Sequence, residues 1–479
     1  MNIDVTSTAY KIYNYELGQD KRLEKALTTF DDIYYKVIDV ALEYDENNKI
    51  LYVPKGIGLN EFMQYKDERF NYIKPNKLHK IDIDMVVPPR DNNQKIILMY
   101  LYGVGEFKYT TKYSQLMLTM PTGTGKTYCA IAGISLFKAR AIVINFDSKT
   151  RQQWVDRVLQ YTTIKENEVL QLNPTNLFEI WNDENFDAEK YKFYSTTHDT
   201  IDGIARKIGW ENLDKLFEKL KIGIKVYDES HKEIKNMYRT DFHTNTNKTF
   251  YVTATPKQSD PKMNKIYQLT FSHMPEYGMD LFDTSTKELK AVIYELNSNA
   301  NMYKRESLKT VKGLSSTKYA QYAFSDTNMP VYRYIKHALA IYSKLFGGYR
   351  CIIYISTIEE CESFREYMIE ELGYPKDMIG VYHSKMNTKV KEDVYNNSRI
   401  IISPMKSLGT AKDIANLRVI INTETYKSEV NTEQMIGRLR DGGLFFDCYD
   451  VSIPECINQY KSRLKIIKTQ VRKILNTKI

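Results

Sequence analysis

The chain has 479 residues, of which 42% are hydrophobic, 27% charged and 13% aromatic. That balance describes packed globular domains, excludes the low-hydrophobicity, high-charge composition of disordered chains, and at this length predicts two to four domains. Lys and Arg together number 68 against 60 Asp and Glu, a surplus of eight that permits polyanion binding and points to it only where the charge clusters.

Residues 1–85 carry short mixed segments without a motif and read as a small N-terminal accessory domain. The first twenty residues lack a basic segment followed by an apolar run, and no run of 18 apolar residues occurs. Neither secretion nor membrane spanning is expected, and the cytoplasm is the expected location. From residue 86 the pattern changes. Short apolar runs alternate with helical patterns: Ser114–Met120, Ala141–Phe146, Gly223–Asp228 and Lys248–Ala254. Buried strands alternating with helices predict a parallel α/β sheet over residues 86–275. The same grammar returns over 276–455, with runs at Lys290–Leu296, Arg350–Ser356, Met378–His383, Arg399–Pro404 and Arg418–Glu424. Two tandem α/β domains are therefore expected, the second interrupted by a polar, exposed loop near 301–328. In the last segment, 456–479, the residues Ile457, Tyr460, Leu464, Ile467, Val471 and Ile474 recur at steps of three and four, predicting an amphipathic helix. Its other face is basic: residues 455–479 hold seven Lys or Arg and one acid. Lys465, Lys468 and Arg472 are the candidates there for phosphate contact, against the alternative of a packed helix with a solvated charged face.

The chemistry concentrates in a few places. Met120-Pro-Thr-Gly-Thr-Gly-Lys-Thr127 follows the first apolar run and opens a helical pattern. Gly123, Thr124 and Gly125 can curl the backbone so that its N–H groups face phosphate oxygens. Lys126 can reach the β- and γ-phosphates, and the Thr127 hydroxyl can ligate Mg²⁺. At the end of a later strand, 102 residues after Lys126, stands Asp228-Glu-Ser-His231. Asp228 is placed to hold Mg²⁺ and Glu229 to polarise the attacking water. A third strand ends in Thr253-Ala-Thr-Pro256. The five cysteines contain no C-x-x-C pair, so neither a zinc site nor a disulfide framework is expected. His198, His243, His273, His337 and His383 show no ligand spacing and read as surface or satisfied polar residues; Trp154, Trp181 and Trp210 read as packing residues.

Taken in order, these motifs resemble the superfamily-2 helicases of the DExH type. Glu433-Gln434-Met-Ile-Gly437-Arg438-Leu-Arg440 looks like motif VI of that family, and Ser403 to Asp413 looks like motif V, with Gly409 and Asp413 fitting and Ala411 replacing a usual Gly. The resemblance implies two RecA-like domains using ATP and Mg²⁺, with Gln434 and an arginine of the second domain serving hydrolysis. An arginine in that role is typically worth ~10³–10⁵ in kcat; Arg438 leads and Arg440 is the alternative. It also implies that Arg90 and Gln94 read adenine and that Gln153, Ser195, Thr196 and Thr197 touch the nucleic-acid backbone. Thr253, Thr255 and His231 would couple the two activities. Within the family the chain looks most like phage UvsW-type helicases and the related poxvirus transcript-release helicase. That implies a monomeric ATP-dependent 3′-to-5′ DNA helicase or translocase on branched or forked DNA. Alternatives are an RNA or RNA–DNA hybrid helicase, a duplex translocase, and a binding scaffold without turnover.

Overall fold

A computed structural model describes residues 2–30, 37–58, 69–121, 123–254, 261–278, 288–311, 313–408, 414–439 and 442–479. The chain divides into two compact units, Met1–Phe282 and Asp283–Ile479.

The first unit begins with β1 (Asn2–Val5), β2 (Ala9–Tyr13), a hairpin of β3 (Thr28–Phe30) and β4 (Val37–Val40), then β5 (Glu43–Asp45), β6 (Ile50–Pro54) and β7 (Arg69–Tyr72). Five of these strands form a small sheet of order β5-β6-β2-β1-β7. Its apolar side joins the core under one face of the unit's larger sheet, so Ile3, Ile12, Leu51 and Val53 share a cluster with Ile142, Ile144 and Tyr251. Hydrogen bonds fix the seam: Ser7 N–H donates to Asn245 Oδ1 (2.8 Å) and the Thr8 hydroxyl to the Asp241 carbonyl (2.7 Å).

The main sheet of this unit comprises β8 (Gln115–Thr119), β9 (Ala141–Asn145), β10 (Val169–Gln171), β11 (Phe193–Thr197), β12 (Ile224–Asp228), β13 (Lys248–Thr253) and β14 (Glu276–Tyr277). All pairings are parallel, and the order is β10-β11-β9-β12-β13-β8-β14. β8, β9, β11, β12 and β13 are buried along their whole length, as a parallel sheet covered on both faces requires. The second unit repeats the design with β15 (Lys290–Leu296), a short ladder of β16 (Lys309–Thr310) and β17 (Gly313–Leu314), then β18 (Arg350–Tyr354), β19 (Ile379–Val381), β20 (Ile400–Ser403), β21 (Leu417–Asn422), β22 (Leu444–Asp450) and β23 (Lys473–Lys478). Its main sheet runs β19-β20-β18-β21-β22-β15-β23. Numbered by chain order within each sheet, both read 3-4-2-5-6-1-7. The two α/β domains are thus one topology used twice, with β15 standing where β8 stands and β21 where β12 does.

Two expectations change here. Residues 301–328 are not an irregular loop: helices Met302–Ser307 and Ser316–Ala323 flank the β16–β17 ladder. The terminal amphipathic helix ends at Gln470, and the chain continues as β23, which pairs in parallel with β15. Val471 and Ile474 nevertheless pack against the same cluster as Leu464 and Ile467, which is why their spacing mimics one continuous helix. Arg463 also leaves the basic face. It is 1% exposed and makes two hydrogen bonds to Asp447, at 2.9 and 3.2 Å. Removing one partner strands a buried charge. Asp447→Ala is therefore expected to lower the unfolding free energy by about 3–5 kcal/mol, whereas Lys461→Ala on the exposed face should stay within about 0.5 kcal/mol; urea midpoints measure both.

All five cysteines are buried free thiols. Among the described residues no group of three or more His, Cys, Asp or Glu could hold a metal, and no helix is long and apolar enough to cross a membrane. His243, His273 and His337 each meet a polar partner within their own unit, Glu43, Gln115 and Tyr294 respectively.

Candidate nucleotide site

In the first domain β12, β13 and β8 are neighbours, with Asp228 opposite Val252 and Thr253 opposite Thr119. Met120 N–H donates to the Thr253 carbonyl at 2.9 Å. The three strands consequently end level, and the loops leaving them lie at the carboxyl edge of the sheet, where open α/β sheets bind ligands. After β8 the chain turns on Pro121, whose carbonyl accepts the Thr124 hydroxyl at 2.6 Å. Gly123 (φ 79°) and Gly125 (φ 96°) adopt backbone open at low cost only to glycine. A Cβ on Gly125 would also sit 2.4 Å from Gln94 Nε2. The helix Lys126–Phe137 starts directly afterwards, so its free N–H groups and the loop amides share one mouth.

Gln94 is tied to this loop. Its Nε2 donates to the Thr124 carbonyl (3.0 Å) and its Oε1 accepts the Arg90 N–H (2.8 Å), while Arg90 Nη2 donates to the same Thr124 carbonyl at 3.4 Å. One end of the amide holds the loop and the other the Arg90 backbone, which makes Gln94 a brace between the two.

Lys126 Nζ lies 3.7 Å from Glu229 Oε1. Asp228 Oδ1 accepts the Glu229 N–H (3.0 Å), and Glu229 itself holds φ 50°, an uncommon conformation for a non-glycine residue at the edge of a site. His231 Nδ1 stands between two partners, 2.8 Å from Thr253 Oγ1 and 3.4 Å from Glu229 Oε2. Burial, followed by the neighbouring Glu229 charge, pushes the Asp228 carboxyl up to about 6. Burial also pushes Glu229 upward, but Lys126, then His231 and Lys232, outweigh it and hold the carboxyl below its ordinary range. Burial drives His231 down to about 4, so its imidazole is neutral near pH 7.

These residues fit a nucleotide with Mg²⁺. Asp228 and the half-buried Thr127 offer the hard oxygen donors that ion takes, and a carboxyl pushed towards neutrality by burial and a like charge is one a divalent cation would re-ionise.

One residue at this site was not expected from the sequence. The indole Nε1–H of Trp154 donates to Asp228 Oδ2 at 2.9 Å, and Trp154 is 1% exposed. It is the one indole on the helix Ser148–Tyr161, whose sequence SKTRQQWVDRVLQY is otherwise mostly polar; a large ring on a polar helix after a strand was the available signal. Together with the Glu229 N–H on Oδ1, the bond fixes the orientation of the carboxylate and so the direction of the lone pairs that a cation would take. Trp154→Phe is expected to raise the Mg²⁺ concentration for half-maximal ATPase by about tenfold, as loss of a partner behind a metal ligand does. A magnesium titration beside a melting curve separates this from a folding defect.

The other candidates scatter. Ser195 and Thr196 are fully buried in β11, where Asn145 Nδ2 donates to Ser195 Oγ (3.2 Å) and to the Thr196 carbonyl (3.0 Å). Their side chains serve the domain interior, which corrects the expectation of a surface contact. Thr197 caps the helix His198–Ile208, accepting the Thr200 N–H at 3.3 Å. Gln153 is half-buried beside Trp154. In the second domain, Gln434 is buried on the helix Glu429–Ile436 and Arg438 is half-buried just beyond it. Lys465 and Lys468 are exposed on the helix Pro454–Gln470, and exposed Arg472 pairs with Glu288 at 2.8 Å. Thr255, Gly409, Asp413 and Arg440 lie outside the described residues.

Residues 59–258 match the family described as "Type III restriction enzyme, res subunit". No curated protein matches the chain. Among solved structures it is similar to S. cerevisiae Dbp5 bound to RNA and ADP BeF3, with a TM-score of 0.51, 14% identity and coverage of 88% of this chain and 92% of that one. A fragment described as an HsdR subunit of a type I restriction enzyme from Vibrio vulnificus gives a TM-score of 0.51 at 13% identity, covering 81% of this chain and 68% of that chain. T4 UvsW aligns over 100% of both chains at 13% identity, with a TM-score of 0.37. The likeness to the solved structures is one of architecture: it shows two tandem RecA-like α/β domains, and the family match falls within the first unit.

Proposed function

We propose that this protein is an ATP-dependent nucleic-acid motor, a monomeric 3′-to-5′ DNA helicase or translocase of the DExH type that works on branched or forked DNA in phage-type replication, recombination or repair. The observation that carries the ATPase part is the convergence of Lys126, Asp228, Glu229, His231 and Thr253 on the ends of adjacent strands. The loop amides and Lys126 bind the phosphates. Lys126 exchanges Glu229 for phosphate oxygens, and Glu229, released from its counter-ion, orients and polarises a water. Thr127 and Asp228 would hold Mg²⁺, which neutralises phosphate charge when bound. Neutral His231 hydrogen-bonds Thr253 and also meets Glu229, so a change at the carboxylate alters the β13 end, the strand motif assigned to coupling. Gln434 and Arg438 serve turnover from the second domain by the same resemblance, with Arg440 the alternative arginine; Gly409, Asp413 and Thr255 carry their family roles into this proposal.

A second reading rests on the same fold: an RNA or RNA–DNA hybrid helicase acting in transcript release, favoured by the likeness to a protein bound to RNA. Steady-state ATPase with single-stranded DNA, duplex, a four-way junction, a hybrid and RNA decides between them, with Lys126→Ala as blank. Strongest stimulation by the junction is the expected result. Preference for RNA moves the protein to the second reading, and no stimulation by any of them overturns both.

A further inference from the structure

The segment between β15 and the rest of the second domain is built rather than loose. Asn301 caps the helix Met302–Ser307 by accepting the Lys304 N–H, and Arg305 Nε donates to the Ala300 carbonyl at 2.9 Å. Lys309 pairs with Glu306 (2.7 Å) and with Glu455 (2.9 Å), and Lys318 Nζ donates to the carbonyls of Ser307 (3.1 Å) and Lys309 (3.2 Å). On this braced base three apolar side chains stand in water: Met302 at 74% exposure, Tyr303 at 88% and Val311 at 108%. Folding does not require a ring as exposed as that of Tyr303 on an element held this firmly.

The charge says what would cover it. Residues 301–318 contain Lys304, Arg305, Lys309, Lys312 and Lys318 against Glu306 alone. β17 packs beside the helix Pro454–Gln470, on which Lys461, Lys465 and Lys468 are exposed at spacings of four and three, one face opposite the buried Tyr460, Arg463 and Ile467. Lysine is depleted from protein–protein interface cores, whereas an aromatic ring among cations is the pattern that binds unpaired strands, base on ring and phosphate on ammonium. We propose that the helix Met302–Ser307 is a single-strand contact, with Tyr303 stacking on a base and the lysines of the neighbouring helix Pro454–Gln470 following the phosphates. This rests on the nucleic-acid reading above and adds to it the element that distinguishes unpaired from paired strands.

Fluorescence anisotropy with labelled oligo-dT and with a blunt DNA duplex tests it. Tyr303→Ala is expected to weaken oligo-dT binding by about fivefold to a hundredfold, with the salt slope, duplex affinity and nucleic-acid-free ATPase unchanged; Tyr303→Phe should restore binding. Replacing Lys461, Lys465 and Lys468 by Ala should instead flatten the salt slope. Unchanged oligo-dT binding by Tyr303→Ala, or equal losses on oligo-dT and duplex, overturns the stacking role while leaving the motor reading intact. A wild-type protein that binds neither probe overturns both.

Discussion

Lys126→Ala is expected to lower ATP turnover by at least about 10²- to 10³-fold, the usual loss when a charge aimed at a developing oxyanion is removed. The side chain is only 12% exposed and rests 3.7 Å from Glu229 before nucleotide arrives, so it is already oriented into the site. Truncation has two consequences there. The phosphates lose a cation, and Glu229 loses the largest influence holding its carboxyl down against burial, so its carboxyl rises in the nucleotide-free variant. The glycine turn and helix start do not depend on this side chain, and their N–H groups remain. Nucleotide affinity should therefore fall but stay measurable by titration with a fluorescent ADP, while turnover disappears. Lys126→Arg is the sharper control: it keeps the charge and changes its shape and hydration, and it should also fail if a compact ammonium is required. Near-normal turnover in Lys126→Ala would remove the loop from the mechanism.

The parts of the site legible in the sequence are those encoded locally. A strand, a glycine turn and a helix start occupy consecutive residues, so Gly123 to Thr127 announce themselves; likewise Asp228 and Thr253 each close an apolar run. The shared strand order of the two sheets is not local, because nothing in the period of β8 says that β13 will lie beside it. β22 escapes for a related reason. Its acids Asp447 and Asp450 break the apolar run, and Asp447 is tolerated inside because Arg463, in the next helix, and Asn422 of β21 meet it. The same pairing explains why counting charge overstated the basic face. Trp154 was invisible as a site residue because its partner is 74 positions away. Ser195 and Thr196 show the converse: a motif match placed them at a surface, while the burial of β11, a property of the whole sheet, turned their side chains inward.

Glu229→Gln is the second large effect expected, a loss of about 10²–10⁴ in kcat with nucleotide binding kept. The amide is nearly isosteric and can still accept a hydrogen bond, but it cannot draw a proton from water. It also removes a charge that bears on two neighbours. Asp228, raised partly by that charge, should move back towards the ordinary carboxylate range, and Lys126 should leave the vacated partner for phosphate more readily. Both shifts favour the ATP-bound state, so the variant should bind ATP at least as tightly as the wild type while hydrolysing it slowly. If hydrolysis governs release of nucleic acid, it should also retain oligo-dT longer in ATP than in ADP. His231→Ala offers the complementary case: with Glu229 intact and the bond to Thr253 lost, chemistry should survive better than its response to nucleic acid. Turnover of Glu229→Gln within a few-fold of wild type would move the water-activating role to another group. Single-turnover hydrolysis, which isolates the chemical step from product release, is the measurement that separates these outcomes.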